Sequence, residues 1–410
     1  MSAGAGPPTR DAGFSCAARV GQLPRGGLVA LLREGRARGD VVDLAVGTPS
    51  APATPGALIE GACAALRAGV NQYADPAGDP ELRAGLARLL AVPADPDTEI
   101  TVTVGASEAL ALALLATVNP GDEVIVLEPF YENFIGAVAL AGGQPRFVRM
   151  HPPRWRFDEN ELAPMFGPHT RAIIVNTPGN PTGRVLDQGE FAVIARLCDR
   201  WNVTVISDET YAALTFDGQD HLSAAAVPGL AQRCIVIGSL SKSHAVSGWR
   251  LGFAWAEPRR TEAIRALHMA TTSGAAAPLQ RAAATSGALG AAGREPARQL
   301  QELRNLTVEI LSGMGLACTA AEGGCYIMAD IRPVTSEDSE AYAHRLMTEA
   351  GVLVTPGTLF FDDPPAGRPY IRVAFNRPRG TLEVAGRRLA RYSTTPIPAR
   401  FRADGPRAQA

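Results

Sequence analysis

Between residues 100 and 240, short runs of β-branched and aliphatic residues recur, and each is followed by a segment with apolar positions at helical spacing. The runs 100–104, 124–127, 172–176, 203–207 and 234–238 predict strands; 107–118, 134–141, 187–201 and 222–226 predict the helices between them. The runs are short and rich in β-branched residues, and with helices between them both faces of the sheet are expected to be covered. Strands alternating with helices predict an α/β domain of three layers, α/β/α, around a mostly parallel sheet. Ligands of such sheets sit at the carboxyl ends of the strands, which directs attention to the loops that follow them.

Upstream, the pattern predicts a helix over 28–38 and a strand over 41–46 entering the turn Gly47-Thr48-Pro49. Helices over 55–68 and 81–90 flank the polar loop Asn71-Gln72-Tyr73-Ala74-Asp75. Past residue 294 the rhythm changes. A long helix over 295–314, strands over 325–330, 352–355 and 370–375, and helices over 337–350 and 382–392 describe a smaller α+β domain. The expected division is therefore an N-terminal arm and small-domain segment (1–40), a large domain (41–293), a small C-terminal domain (294–393) and a flexible tail (394–410).

Composition narrows the class. Of 410 residues, 46% are hydrophobic and 20% charged, enough apolar material for a sizeable core and too much for wholesale disorder. A formal net charge of −2 with no basic stripe argues against nucleic-acid or anionic-membrane partners. The longest apolar stretch, 109–118, falls well short of the ~18 residues of a spanning helix, and residues 1–20 lack the apolar run of a secretion signal. A soluble, cytoplasmic protein is expected. Six scattered cysteines without a CxxC pair support neither a disulfide framework nor a zinc site. Six histidines without ligand spacing leave metal catalysis unsupported.

One count stands out. The 39 basic residues are 38 arginines and a single lysine, Lys242. Arginine serves wherever only a positive charge is required, but its guanidinium does not deprotonate, whereas a lysine amine can lose its proton and attack a carbonyl. Lys242 is thus a candidate amine nucleophile. It lies in Gly238-Ser239-Leu240-Ser241-Lys242, directly after a predicted strand, with Ser247-Gly248-Trp249-Arg250-Leu251-Gly252 close behind. The run 203–207 leads into Asp208-Glu209-Thr210-Tyr211, and 172–176 into Thr177-Pro178-Gly179-Asn180-Pro181-Thr182-Gly183. All three clusters fall at strand carboxyl ends, where they can converge on one ligand.

These segments, with a late Tyr-Ile-Arg-Val-Ala-Phe at 370–375, together resemble the aminotransferase class I/II family of fold-type I pyridoxal-phosphate enzymes. In order and spacing the likeness runs over roughly residues 43–390. It implies pyridoxal 5′-phosphate as cofactor, bound as a Schiff base on Lys242, which also moves a proton between substrate and cofactor. Asp208 matches the carboxylate that keeps the cofactor ring nitrogen protonated. Asn180 and Tyr211 match donors to its phenolic oxygen, and Tyr131 matches the aromatic stacked on the ring, with Phe130 next to it as the alternative. For the phosphate, the likeness points to Gly105, Ala106 and Ser107 at a helix N-terminus, to Ser239 and Arg250, and to Tyr73 reaching across to the neighbouring subunit of a homodimer. Arg372 matches the clamp for the substrate α-carboxylate, with Gly47 and Asn180 beside it.

The family implies transfer of the amino group of an L-amino acid to a 2-oxo acid. The segments Gly323-Gly324-Cys325-Tyr326 and Val354-Thr355-Pro356-Gly357-Thr358 are similar to the kynurenine and methionine aminotransferase branch. The same cofactor frame also supports chemistry at Cβ or Cγ, such as carbon–sulfur lysis or γ-elimination or replacement on an amino acid or S-adenosylmethionine, and this is the alternative reading. The side-chain specificity is not legible from the residues.

Overall fold

The computed structural model describes residues 16–23, 26–291 and 294–392. The tail expected over 394–410 and the first fifteen residues of the arm lie outside them. After a two-residue strand β1 (Val42–Asp43), eight strands form one sheet: β2 (Ile100–Val104), β3 (Glu123–Glu128), β4 (Gln144–His151), β5 (Arg156–Phe157), β6 (Thr170–Asn176), β7 (Thr204–Asp208), β8 (Cys234–Ser239) and β9 (Leu251–Ala256). Their spatial order is β2-β9-β8-β7-β6-β3-β4-β5. Strands β4, β3, β6, β7 and β8 pair parallel, whereas β9 runs antiparallel to both β8 and β2. The amino end of β9 therefore lies at the same sheet edge as the carboxyl ends of β2, β3, β6, β7 and β8.

Successive residues of each strand enter different cores, as the period-2 geometry of a strand requires. Ile125, Ile173, Val175, Val205 and Val236 belong to one buried cluster, with helical residues such as Phe191, Ile194 and Leu197. Val124, Val126, Ile174, Ile206, Ile235 and Ile237 belong to another, with Leu110, Leu114 and Val138. Helices thus cover both faces, which gives the three-layer α/β arrangement. The remaining strands are β10 (Ala317–Cys318), β11 (Tyr326–Asp330), β12 (Val352–Leu353), β13 (Thr355–Pro356) and β14 (Tyr370–Ala374). All but β12, which pairs with β1, form a second, antiparallel sheet in the order β10-β11-β14-β13. The helix Arg294–Gly313 packs there through Leu300, Leu303, Leu306 and Ile310. Leu28, Leu31 and Leu32 of the helix Gly27–Arg38 pack with Ala45, Met347 and Leu353, so this N-terminal helix joins the C-terminal part of the chain.

Several expectations need correction. The strand expected over 41–46 stops at Asp43, because the Asp43 carboxylate accepts the amides of Ala45 (2.8 Å) and Val46 (3.3 Å), which bends the chain out of the ladder. The helix expected over 222–226 is only the 3-10 turn Ala224–Ala226, whose first amide is taken by Glu209 at 2.9 Å. The strand expected over 352–355 divides into β12 and β13, which pair with different partners. The helix expected over 337–350 is an α-helix, Ser339–Arg345, continued by a π-turn, Leu346–Ala350. Strands β4 and β9 and the helices Pro258–Thr271 and Ala277–Thr285 were not anticipated. β9 is buried throughout as Leu-Gly-Phe-Ala-Trp-Ala, a run interrupted by glycine and alanine and without the β-branched residues that mark the other strands. No helix among the described residues is long and apolar enough to cross a membrane.

Candidate active site

A pocket of about 170 Å³ opens at the sheet edge where these strand ends meet. It is built from the local structure of each loop. At the end of β2, Gly105 turns at φ +73° straight into the helix Gly105–Thr117, whose first turn presents backbone amides without intrahelical acceptors. A Cβ on Gly105 would run into the Arg250 guanidinium, and one on Gly252 into the backbone of Gly105 and Ala106. Glycine at both positions lets Arg250 and the helix N-terminus approach one another. Arg250 itself takes a left-handed conformation at φ +52°, strained for a non-glycine residue.

At the end of β8, Ser239 caps the short helix Leu240–Ser243: its Oγ accepts the Ser241 amide at 3.0 Å and donates to the Leu251 carbonyl at 3.1 Å. That turn carries Lys242 into the pocket. Its Nζ donates to the Gly47 carbonyl at 2.8 Å, an oxygen that also accepts Asn376 Nδ2 at 3.0 Å. Burial holds the Lys242 amine below the ordinary lysine range; Arg372, Arg250 and Arg377 push the same way, and Cys325 opposes them. Asp208, at the end of β7, is 8% exposed and accepts the Thr210 amide at 3.1 Å. Burial pushes its carboxyl up against the lowering effect of Thr210; a cationic N–H placed against it would act in the opposite direction.

The turn after β6 is held by Asn176, whose Oδ1 accepts the Asn180 amide at 2.6 Å while its Nδ2 donates to the Asp208 carbonyl at 2.9 Å. Asn180 Oδ1 in turn accepts Arg372 Nη1 at 2.9 Å, and Arg372 Nη2 donates to the Ala45 carbonyl at 2.8 Å. Tyr211 is buried, with its phenol raised well above the usual range by that burial, and Cys325 Sγ lies 3.9 Å from its hydroxyl. Tyr131 lines the pocket, whereas Phe130 packs into the core on Phe147 with ring centroids 5.5 Å apart.

The expected residues Ala106, Ser107, Tyr131, Asn180, Asp208, Tyr211, Ser239, Lys242 and Arg250 line this one pocket. Gly105, Gly47 and Arg372 adjoin it through the contacts above. Tyr73 does not: it is 94% exposed and away from the pocket of its own chain. Asn176, Thr210, Ser241, Ser247 and Tyr326 also line it and were not anticipated. Most neighbour a motif residue, so the motif was the available signal. Arg377 carried none among 38 arginines, yet it is buried and spends its guanidinium on the carbonyls of Asp43 (2.7 Å), Val46 (2.5 Å) and Thr48 (2.9 Å), fixing the loop that bears Gly47.

Residues 39–389 match the family model described as aminotransferase class I and II. The chain belongs to this family. A probable N-succinyldiaminopimelate aminotransferase of Mycobacterium tuberculosis is 35% identical over 374 residues, 87% of this chain and 93% of that protein. The methionine aminotransferase of Escherichia coli is 34% identical over 331 residues, 78% and 84% of the two chains. The three-dimensional structure of N-succinyldiaminopimelate aminotransferase from M. tuberculosis superposes with a TM-score of 0.87, covering 92% of this chain and all of that one at 33% identity. That of the E. coli enzyme superposes at 0.88 and 30%, with the same coverage. This class I and II aminotransferase is therefore a pyridoxal-phosphate-dependent transferase with small-molecule substrates. The pocket suits that cofactor. It offers a buried amine for an aldehyde, a buried carboxylate for a ring N–H, and, beside Arg250, a helix N-terminus kept open by two glycines for a phosphate.

Proposed function

We propose that this aminotransferase holds its cofactor covalently on Lys242 and transfers the amino group of an L-amino acid with an uncharged side chain to a 2-oxo acid. The observation that carries the reading is the convergence of the only lysine, with its amine kept toward the neutral form, on a pocket shared with Asp208, Asn180, Tyr211 and Arg250. When bound, pyridoxal phosphate supplies a carbonyl that takes up the amino group and a ring that withdraws electrons from the substrate Cα. Lys242 Nζ, its amine held by burial below the ordinary lysine range, would take the proton from Cα. Asp208 holds a proton on the ring nitrogen by charge and hydrogen bonding. Tyr211 and Asn180 donate to the phenolic oxygen, and Tyr131 packs on the ring. The amides of Gly105, Ala106 and Ser107, the Ser239 hydroxyl and Arg250 hold the phosphate. Arg372, with the Gly47 loop, orients the α-carboxylate.

One feature supports the uncharged side chain. Arg250 is assigned to phosphate, Arg372 to the α-carboxylate, and Arg377 is consumed by backbone carbonyls. Among the described residues that line the pocket Arg250 is the only arginine, and Arg372 and Arg377 adjoin it, so no further arginine of the chain lines it for a distal carboxylate. The exposed Tyr73 supports a homodimer in which it reaches the partner's phosphate site, in a cytoplasmic enzyme. The division proposed is a large domain over 41–293 and a small one over 294–393 joined by 1–40, supported by the two separate sheets and by the packing of the helix Gly27–Arg38 on the C-terminal part, with β1 pairing across the boundary to β12.

The deciding experiment incubates purified holoenzyme with pooled L-amino acids, with and without a 2-oxo acid acceptor, and follows products by mass spectrometry. Keto acid of a neutral donor, formed only with acceptor, is expected. Ammonia or thiol release without acceptor would overturn the reading.

A further inference from the structure

Arg372 is 2% exposed, yet among the described residues no acidic side chain forms an ion pair with it. Its Nε is buried without any hydrogen-bond partner, while Nη1 and Nη2 donate to Asn180, Ala45 and Thr355. A buried guanidinium with neutral partners alone is costly, since neutral acceptors offset only part of the lost hydration of the charge. Two aromatic rings supply what is missing. The guanidinium carbon lies 4.1 Å from the ring centroid of Tyr326 and 4.6 Å from that of Phe360. At these distances the electron-rich ring faces stabilise the cation directly, and more strongly because the site is desolvated.

We propose that Tyr326 and Phe360 are positioning residues for substrate carboxylate recognition: their rings hold the unpaired Arg372 guanidinium in one plane, so that a carboxylate meets it edge-on. The inference rests on the assignment of Arg372 to the α-carboxylate. Both rings come from elements that also build the rest of the site. Tyr326 opens β11, which pairs with the strand bearing Arg372, and its hydroxyl occupies the space that a Cβ on Gly47 would need. Its ring also meets Tyr211 edge-on at 6.4 Å. Phe360 ends the 3-10 turn Gly357–Phe360, and its carbonyl accepts the Phe130 amide at 2.9 Å, next to Tyr131. Displacing either ring therefore frees the guanidinium plane to tilt, and a tilted fork loses the paired, parallel contacts that a carboxylate offers. Because every amino acid and 2-oxo acid carries that carboxylate, the loss is uniform across substrates and falls on KM more than on kcat.

The test measures binding of 3-phenylpropionate, a monocarboxylate with no amine to transfer, to holoenzyme by titration calorimetry, alongside KM and kcat for several donors. Retained cofactor absorbance and thermal unfolding identify folded variants. Tyr326→Leu and Phe360→Leu are expected to weaken carboxylate binding by roughly 10–30-fold, the loss of one desolvated ring face, with KM rising in proportion for every donor. Tyr326→Phe and Phe360→Tyr, which keep the rings, are expected to stay within about threefold of the parent. If Tyr326→Phe is as weak as Tyr326→Leu, the hydroxyl and not the ring is responsible, and the inference fails. Unchanged affinity in both leucine variants, with affinity lost in Arg372→Leu, overturns the inference alone. Affinity retained in Arg372→Leu overturns the carboxylate assignment itself. Should Tyr326→Leu not fold, the Phe360 pair decides the question by the same criteria.

Discussion

Lys242 and Asp208 are both perturbed by burial, in opposite senses of charge. For Lys242 the lowered amine means that folding disfavours the charged form, so the unfolded chain binds more protons between the folded value and the ordinary 10.5. Stability of the cofactor-free protein is reduced below the folded value and recovers as pH rises toward the unfolded one. Lys242→Met, which keeps length and volume without the charge, is therefore expected to raise the denaturant midpoint of cofactor-free protein at neutral pH. The gain should shrink as pH approaches 10, and an equal gain at every pH would show that packing, not charge, is responsible. Asp208 presents the complementary case, because its role requires the ionised form that burial opposes. Asp208→Asn is expected to keep fold and cofactor while the single-turnover rate falls about 10²–10³-fold, comparable to deleting one preorganised electrostatic contact. Stopped-flow absorbance of the bound cofactor reads this directly, and a near-parental rate would remove Asp208 from the reaction.

Among the elements, the antiparallel β9 decides more of the site than any single motif residue. Its reversed direction delivers Arg250 to the edge where the parallel strands end, and Gly252 allows it to lie against the turn Gly105-Ala106. A methyl group at Gly252 meets backbone, which cannot swing aside as a flexible side chain could. Gly252→Ala is expected to destabilise the protein by about 1–3 kcal/mol and, by moving the helix N-terminus from Arg250, to weaken the cofactor further. Urea unfolding with and without pyridoxal phosphate separates the two effects; parental stability and affinity together would show that the strand can shift freely. The same element marks where reading the chain fell short. β6, β7 and β8 were legible because their apolar runs are bounded by turn residues, whereas β9 was masked by the glycine and tryptophan that suit its packing. The short strand at Val42 was overextended because an Asp43 side chain competes with the ladder for amides, a contest that hydrophobic period cannot register.

At the scale of the whole molecule, Tyr73 is exposed and does not line the pocket of its own chain, and the proposed homodimer assigns it to the partner's phosphate site. Tyr73→Asp, placing an anion against a phosphate, and Lys242→Ala are each expected to be nearly inactive alone. After subunit exchange a mixed dimer has one site with intact lysine and intact tyrosine, drawn from different chains, so recovery should approach half of parental activity. No recovery despite demonstrated exchange would show that Tyr73 serves its own chain or none. Taken alone, the chain determined its layered α/β class and the strand-end loops that form the pocket, because buried strands leave apolar runs, and it singled out Lys242 as the one lysine amine available to the proposed chemistry. It could not determine which of Phe130 and Tyr131 faces the pocket, that Arg377 locks the Gly47 loop, or that Arg372 lies against two rings. Those facts rest on contacts between residues tens to hundreds of positions apart, where packing and not local pattern decides which of many equivalent arginines and aromatics meet.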